Sequence, residues 1–440
     1  MLRRIPILVF VMVIIPGWAC KTAKTAVAGG KEKNSLSDNK NLSELNAGDP
    51  PNSPLLTRLL ASHSAFYRDM VLDKDHRIQI MYTQINGSKN GRPGFREHYF
   101  NVSDHEYFYP ASAVKFPIAV LALQRLRELR VPGLDKNSLM VTGKAYPGQT
   151  EVYNDPQSVD GAPSVANYIK KIFLVSDNDA FNRLYEFLGQ AYINNTLHAM
   201  GFNSVQILHR LSVDMNETEN RHTNPVSFYD TAAQLLYEQP PGNSSLQIEK
   251  KDIRLEIGYM QGGVLIHEPF DFSAKNRISV RDFSRMIQSV FFPNEVPPRN
   301  RFNLSNEDRL FLWKYMSMLP AESTFPDYSF LPEASRYSRS YFWGTVNPDA
   351  LNAVRVFNKT GGAYGFLTEV AFVVDFKNQV AFMLTATIHC NSNGIYNDDQ
   401  YDYEQLGYPF LKKLGRIIYG YERTRKRNLA PDLSTFQLNY

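Results

Sequence analysis

The sequence is poor in cysteine and has little excess of charge. Its 440 residues contain two cysteines, Cys20 and Cys390, and carry a formal net charge of +4. So small a charge gives no basis for nucleic-acid binding, and two cysteines cannot build a disulfide framework. There is no H-E-x-x-H, no C-x-x-C and no glycine-rich phosphate loop, so we expect neither a metal nor a cofactor. The 43% of hydrophobic residues is enough to bury a sizeable core.

A long apolar run stands at the N-terminus. Arg3 and Arg4 precede it, it covers residues 5–15, and Ala19 and Cys20 follow. This pattern is typical of an export signal, whereas the alternative, a retained membrane anchor, needs about 20 apolar residues. The Ala-Cys pair resembles the end of a bacterial lipoprotein signal. We therefore expect a signal peptide over residues 1–19, a lipid on Cys20, and an exported protein of the cell envelope or periplasm that is anchored to a membrane.

The rest of the chain divides by composition. Residues 20–53 are polar and lack a helical period, which predicts a flexible tether. Residues 54–425 have the length and hydrophobic content of one large folded domain, and residues 426–440 are left as a C-terminal tail. The basic run 423–427 indicates a solvated chain end, with a polyanion-binding segment as the alternative.

Periodicity predicts strands at both ends of this domain and helices between them. Because such segments can share a sheet, we expect an α+β domain with an antiparallel sheet of N- and C-terminal strands, layered between helices. Strand-like runs lie at 77–86, 96–103, 353–358, 366–376 and 379–388, and helical periods lie at 55–70, 112–130, 164–175, 180–190, 280–292, 306–319 and 406–421.

Ser112 and Lys115 share one face of a predicted helix. The segment PASAVKFPIA is apolar apart from these two side chains, and residues three apart on a helix point the same way. A serine hydroxyl is a weak nucleophile until a base takes its proton, and a desolvated lysine can do this. Pro110 suits a helix start, where free N–H groups favour negative charge. The structural alternative is an N-capping serine beside a solvated lysine.

Two further short motifs lie downstream. The S-D-N motif at residues 176–178 falls between two predicted helices. It can be a helix cap, or it can present a hydroxyl and an amide to a substrate. The K-T-G-G motif at residues 359–362 follows a predicted strand. It can be a turn, or a strand edge where a cation and a hydroxyl hold a carboxylate while glycine admits a ligand backbone.

The order S-x-x-K, S-D-N, K-T-G resembles the motif set of class A β-lactamases and penicillin-binding proteins. The resemblance covers residues from about 55 to 422, and FYPASAVKFPIA is similar to the family's nucleophile segment. It implies a β-lactamase/transpeptidase-like fold, a layered α/β/α domain with an all-helical subdomain. The second and third motifs stand further apart than in the family, which places an insertion around residues 215–300 of this catalytic domain.

The resemblance implies a role for each matching residue. Ser112 would be the acylated nucleophile, Lys115 its base or the partner of its base, and Ser176 the proton relay to the leaving nitrogen. The backbone amides of Ser112 and Gly362 would form the oxyanion hole. The other matches would bind the substrate's amide and carboxylate groups: Asn178, Lys359, Thr360 and Gly361.

The residue that would activate water for deacylation is not evident. Arg210 and Asn216 match the loop that carries a glutamate in these β-lactamases, yet the glutamate position falls on Ser212. The pKa of a serine hydroxyl is far too high for a general base. Glutamates that remain as candidates lie in the same loop and in the insertion: Glu217, Glu219, Glu256 and Glu268.

We therefore expect an exported, monomeric serine β-lactamase that forms an acyl-enzyme with β-lactams at Ser112. Its partners would be a small β-lactam or a cell-wall peptide, with no nucleic acid, and it would meet a membrane only through its lipid. Two alternatives stay open. One is a penicillin-binding D-alanyl-D-alanine peptidase or esterase with slow deacylation, and the other is a non-catalytic envelope protein that binds such ligands.

Overall fold

A computed structural model describes residues 48–330 and 353–440. The predicted signal peptide, Cys20 and most of the tether lie outside the described residues, and α1 begins at Pro54, one residue after the predicted end of the tether. In the part of the chain that the structure describes, no helix is both long and apolar enough to cross a membrane. The helices are α1 Pro54–Ala61, α2 Ser64–Phe66, α3 Lys115–Leu129, α4 Val165–Val175, α5 Asn178–Leu188, α6 Gln190–Ala199, α7 Glu217–Arg221, α8 Val280–Phe291, α9 Asn306–Ser317 and α10 Tyr408–Thr424.

The strands form one large antiparallel sheet and several small ones. The large sheet has the order β12-β13-β14-β1-β2, so segments from both ends of the domain meet in it, as predicted. The strands are β1 Gln79–Asn86, β2 Gly94–Phe100, β3 Leu139–Thr142, β4 His222–Thr223, β5 Val226–Tyr229, β6 Leu235–Gln239, β7 Gly242–Asn243, β8 Arg254–Leu255, β9 Gly258–Gln261, β10 Val264–Ile266, β11 Phe270–Asp271, β12 Val354–Ala363, β13 Phe366–Asp375, β14 Val380–His389 and β15 Ile395–Tyr396.

The central strands β13 and β14 of the large sheet are buried on both faces, to which successive side chains point in turn. All ten residues of β13 are buried. Val370 and Phe372 join the core that contains α3 and α8, whereas Ala371 and Val373 join the core that contains α10. This is the predicted α+β architecture of a sheet between two helical layers.

Helices α3, α4 and α5 form the helical part of the domain beside the sheet. The side chain of Ser164 caps α4 by accepting from the backbone N–H of Asn167 at 3.1 Å. Asp177 caps α5 by accepting from the N–H of Ala180 at 2.8 Å. The S-D-N motif therefore sits where α4 ends and α5 begins, and its aspartate does act as a helix cap.

The middle of the chain contains more strand than its sequence indicated. Its periodicity predicted helices and loops, but residues 222–271 contain the short strands β4 to β11. Each of these strands is at most five residues long, as in β6 Leu235–Gln239. Runs this short show no clear alternation, which explains why they were missed.

Residues 426–440, which we set apart as a tail, pack against the domain. Phe436 is 3% exposed and its ring lies 4.9 Å from that of Phe372. The Tyr440 hydroxyl lies 2.7 Å from Ser317 Oγ. The basic run is also less solvated than expected, because Arg425 and Arg427 both pair with the buried carboxylate of Glu422.

Cys390 lies at the end of β14 and is fully buried. Burial raises the pKa of its thiol, so the thiolate is disfavoured. This agrees with a structural cysteine rather than a nucleophile.

Candidate active site

The nucleophile candidate stands on a tight turn. Residues Ala111–Val114 form a single 3₁₀ turn that leads directly into α3, and Lys115 is the first residue of that helix. Ala111 has φ +46°, a conformation that costs energy for any residue with a side chain. The turn leaves Ser112 half-buried among fully buried neighbours, so its hydroxyl faces the edge of the core.

Lys115 is fully buried, and its ammonium group is surrounded by polar atoms. Its Nζ lies 3.0 Å from Ser112 Oγ, 3.2 Å from Ser176 Oγ and 2.6 Å from Asn178 Oδ1. It also donates to the backbone carbonyl of Ser176. Burial lowers the pKa of Lys115 to about 7, and the nearby charge of Asp177 opposes this shift. A large fraction of the lysine is therefore a neutral amine near neutral pH.

Ser176 is brought to Lys115 by the way α4 ends. It terminates that helix in the left-handed conformation, with φ +59°. This conformation turns its carbonyl and its hydroxyl toward Lys115, which donates to both. In the S-D-N motif, Asp177 therefore caps α5 while Ser176 accepts hydrogen bonds from Lys115.

Lys359 contacts the same hydroxyl. It lies in β12, is 4% exposed, and its Nζ lies 2.8 Å from Ser176 Oγ and 2.7 Å from the carbonyl of Thr360. Ser176 Oγ therefore lies between the amino groups of Lys115 and Lys359. We refer to Ser112, Lys115, Ser176 and Lys359 as the serine–lysine cluster.

Gly361 allows β12 to approach the nucleophile turn. A Cβ atom at this position would lie 2.3 Å from the carbonyl oxygen of Pro110 and 2.8 Å from the backbone nitrogen of Ser112. No real side chain tolerates such contacts, so only glycine permits this spacing. This close approach places β12 against the nucleophile turn at Gly361, and the next residue of the strand, Gly362, is exposed.

Asn178 links the cluster to the loop after α6. Its Oδ1 accepts from Lys115, and its Nδ2 donates to Ser212 Oγ at 2.8 Å. Ser212 is exposed and has φ +54°. The residue at the predicted glutamate position therefore does lie next to the site, one side chain away from Lys115.

The two glutamates of the same loop are engaged elsewhere. Asn216 and Glu219 form a capping box at the start of α7, in which Glu219 Oε2 accepts from the backbone N–H of Asn216 at 2.6 Å. Glu217 pairs with Arg221 at 3.1 Å and with Lys250 at 2.6 Å. In the contacts of the described residues, these side chains serve the helix start rather than the serine–lysine cluster.

The insertion glutamates are not brought to the cluster by any contact of the described residues. Glu256 lies 3.7 Å from Nδ1 of His389. Glu268 is exposed after β10. Of the four candidate glutamates, none contacts Ser112, Lys115 or Asn178 in the part of the chain that the structure describes.

Buried groups hold the loop after α6 in place, and apart from Arg210 they were not among the candidates drawn from the sequence. Arg210 Nε donates to Glu186 Oε1 at 2.9 Å, and its backbone N–H donates to Asn220 Oδ1 at 2.9 Å. His209 Nδ1 lies 2.6 Å from the carbonyl of Arg210, and burial lowers the pKa of this histidine to about 4. This histidine is neutral at neutral pH, and the charge of Arg210 is paired with the buried Glu186. Glu186 and Asn220 are single polar residues in helical segments, and nothing in the sequence marks such residues as supports of a loop.

The beta-lactamase enzyme family matches residues 68–421, which include all of the site residues above. The chain therefore belongs to this family. No match was found among curated proteins.

Several solved structures are similar over most of the chain. A mutant of PBP-A, solved as an acyl-enzyme complex with penicillin G, is 16% identical, covers 84% of this chain and 98% of its own, and has a TM-score of 0.46. PBP-A itself is 15% identical over 84% and 97%, with a TM-score of 0.45. A beta-lactamase from Xanthomonas campestris pv. campestris is 15% identical over 83% and 96%, with a TM-score of 0.43.

Proposed function

We propose that this protein is a serine β-lactamase that opens the β-lactam ring through an ester on Ser112. The observation that carries the proposal is the amine of Lys115, which lies 3.0 Å from Ser112 Oγ and whose pKa burial lowers to about 7. A base with a pKa near the working pH is the most effective proton acceptor. Family membership supports the reaction at the level of a serine β-lactam hydrolase.

The acylation step follows from these contacts. Neutral Lys115 takes the proton of Ser112, and Ser112 Oγ attacks the lactam carbonyl carbon. The carbon–nitrogen bond breaks, and Ser176 gives its proton to the leaving nitrogen. Ser176 recovers a proton from the Lys115 or Lys359 ammonium, which lie 3.2 and 2.8 Å away.

Substrate binding would use the groups around this cluster. Lys359 and Thr360 at the edge of β12 suit the carboxylate that penicillins and D-alanyl peptides both carry. Asn178 suits the amide of the acyl side chain. The backbone amides of Ser112 and Gly362 would stabilise the oxyanion, because they are held in place before the charge develops.

A second candidate keeps the acylation step and changes the outcome. Ser212 stands beside Asn178, and the four candidate glutamates have no contact with the cluster among the described residues. This favours a penicillin-binding peptidase or esterase in which the acyl group leaves slowly.

Time-resolved intact-mass spectrometry with benzylpenicillin tests both candidates. A β-lactamase gives a transient adduct with continuous turnover of a chromogenic cephalosporin. A slow acyl-enzyme gives a stoichiometric adduct that persists, together with cleavage of a D-alanyl-D-alanine peptide. The Ser112→Ala variant is the control, and an adduct of the same size on that variant would contradict both.

We also propose that the protein is exported and carries lipid on Cys20. The support is the basic and apolar pattern before Ala19 and Cys20. Metabolic labelling with a fatty-acid analogue in a bacterial host should label the wild type and not Cys20→Ala. Labelling of both proteins would show that the lipid is attached at another residue.

A further inference from the structure

The predicted insertion contributes an aromatic ring that packs on both segments of the nucleophile region. Phe272 follows β11 and is fully buried. The centre of its ring lies 5.2 Å from that of Tyr107 and 6.3 Å from that of Tyr109, which precede the nucleophile turn. It also lies 5.5 Å from the ring of Tyr364 and 6.1 Å from that of Phe366, at the turn from β12 to β13. One side chain of the insertion therefore contacts both segments.

Tyr364 has a backbone conformation that its side chain does not favour. Its φ is +53°, in the two-residue turn that joins β12 to β13. Such turns usually carry asparagine, aspartate or glycine, because a positive φ crowds the Cβ of larger residues. The ring packs against those of Tyr109 at 5.1 Å and Phe270 at 5.5 Å, as well as against Phe272. These contacts offset the cost of the conformation, so rings of the insertion hold the turn that follows Gly362.

We infer that Phe272 is a positioning residue for the acylation proposed above, and the inference rests on that proposed function. β12 meets the nucleophile turn where Gly361 packs on the carbonyl oxygen of Pro110. Tyr109 directly precedes Pro110, and Tyr364 lies three residues after Gly361. The ring of Phe272 therefore packs on residues that flank this contact on both segments. Because a protein interior is close-packed, the ring sets the distance between them.

The consequence for the reaction lies in the oxyanion hole. Its two proposed donors are backbone amides on these segments, those of Ser112 and Gly362. Such donors stabilise the developing charge only if they are held in place beforehand, and a displacement of about 1 Å costs roughly a hundredfold. The side chain of Phe272 has no polar atom, so its effect passes through the backbone. The insertion thereby affects acylation without touching the reacting atoms.

The test compares Phe272→Leu with Phe202→Leu in the full chain. Phe202 is also fully buried, but among the described residues its ring contact is with Phe302, at 5.9 Å. Both variants lose a buried ring, so both should have a lower melting temperature. Phe272→Leu should also slow acylation by benzylpenicillin about tenfold, measured by intact-mass spectrometry of quenched samples. Phe202→Leu should acylate at the wild-type rate.

Two further measurements separate an effect on position from an effect on folding. Phenylacetamidomethylboronic acid has the acyl side chain of benzylpenicillin and forms a tetrahedral adduct with a reactive serine. Its affinity should fall about tenfold in Phe272→Leu and stay unchanged in Phe202→Leu, because the adduct resembles the transition state. Phe270→Leu is a milder variant, since Phe270 is half-buried and its ring lies 4.9 Å from that of Phe272. It should fold and slow acylation about threefold.

The possible outcomes distinguish this inference from the proposed function. Absence of a benzylpenicillin adduct on the wild type overturns the proposed function and the inference with it. An adduct on the wild type, with the same rate and the same boronic-acid affinity in Phe272→Leu, overturns the inference alone. Equal slowing in Phe202→Leu also overturns it, because the effect would then follow from lost stability. If Phe272→Leu does not fold, a wild-type rate in Phe270→Leu overturns it.

Discussion

The two halves of the candidate site use their polar groups in opposite ways. In the acylation half, Lys115 is fully buried and donates to several oxygens of Ser112, Ser176 and Asn178. In the loop that would supply a deacylation base, Ser212 is exposed, and Glu219 caps its own helix. On the proposed mechanism, the contacts of the described residues support formation of the acyl bond more than its hydrolysis, and this is the step at which the two candidate functions differ.

Burial explains why this difference matters chemically. A buried amine loses its hydration and becomes a useful base, because desolvation disfavours its charged form. The exposed Glu217, in contrast, has its pKa lowered by Lys250 and Arg221, and so is a weaker base than an ordinary glutamate. The predictions below test each half separately, beginning with the largest expected effect.

Lys115→Met should reduce the second-order rate of acylation by benzylpenicillin about a thousandfold, since general-base catalysis contributes roughly that much. Methionine keeps the length of the side chain and removes the amine. The rate is measured by intact-mass spectrometry of quenched samples. An unchanged rate would show that another group takes the proton of Ser112.

Lys171→Met is the matched control for this variant. Lys171 is also a buried lysine, but it pairs with the buried Asp155 at 2.6 Å and has no contact with the cluster among the described residues. Its loss leaves a buried carboxylate unpaired and should lower the free energy of unfolding by about 3 kcal/mol. The folded fraction should acylate at the wild-type rate.

Gly361→Ala should slow acylation about a hundredfold. The new Cβ would lie 2.3 Å from the Pro110 carbonyl oxygen, so β12 must move away from the nucleophile turn. A displacement of about 1 Å of reacting groups costs roughly this factor. Gly420→Ala in α10 is the control, because nothing lies within 4 Å of its Cβ, and it should leave acylation unchanged.

Much of the acylation half could be predicted from the sequence because its motifs depend on local structure. The three-residue spacing of Ser112 and Lys115 is a property of helices, and Lys359 follows a strand of clear composition. Their meeting at Ser176 depends on how α4 ends and how β12 approaches the turn. Both features arise from tertiary packing. A match to a family's motifs can imply such packing, whereas the helical or strand period of a single segment cannot.

The loop after α6, the short strands β4 to β11 and the packing of the C-terminal segment could not be predicted, because their signals are short or non-local. The capping box of Asn216 and Glu219 follows a known pattern, but the same two residues were also candidates for deacylation. Phe436 lies in a polar C-terminal stretch and is buried only because distant rings surround it. Because composition alone shows no such contact, it predicted a C-terminal tail over residues 426–440.

Ser212→Glu should accelerate loss of the penicilloyl group from Ser112 at least tenfold. A carboxylate at this position would stand beside Asn178 and could activate a water molecule, and positioned general bases contribute about a hundredfold or more. We expect less than the full factor because the loop was not shaped around a glutamate. Ser212→Gln has the same shape without the basic oxygen, and an equal acceleration by both variants would contradict the explanation.

The pH dependence of acylation should follow the neutral fraction of Lys115. Because burial lowers the pKa of this amine to about 7 from 10.5, the neutral form increases as the pH rises. The rate should therefore rise about tenfold between pH 6 and pH 8 and then level off. The unfolded chain binds the extra proton between pH 7 and 10.5, so stability should also rise with pH across that window. A flat rate profile would exclude Lys115 as the base.

Glu219→Gln should have the smallest effect and the most direct bearing on the difference between the two halves. Glutamine can still accept from the N–H of Asn216, so the free energy of unfolding should fall by less than about 1 kcal/mol. If Glu219 only caps α7, the rates of acylation and deacylation should both stay within about twofold of wild type. A selective loss of deacylation would show that this glutamate leaves its cap to act on the acyl-enzyme. The difference between the two halves of the site would then describe the free protein and not the acyl-enzyme.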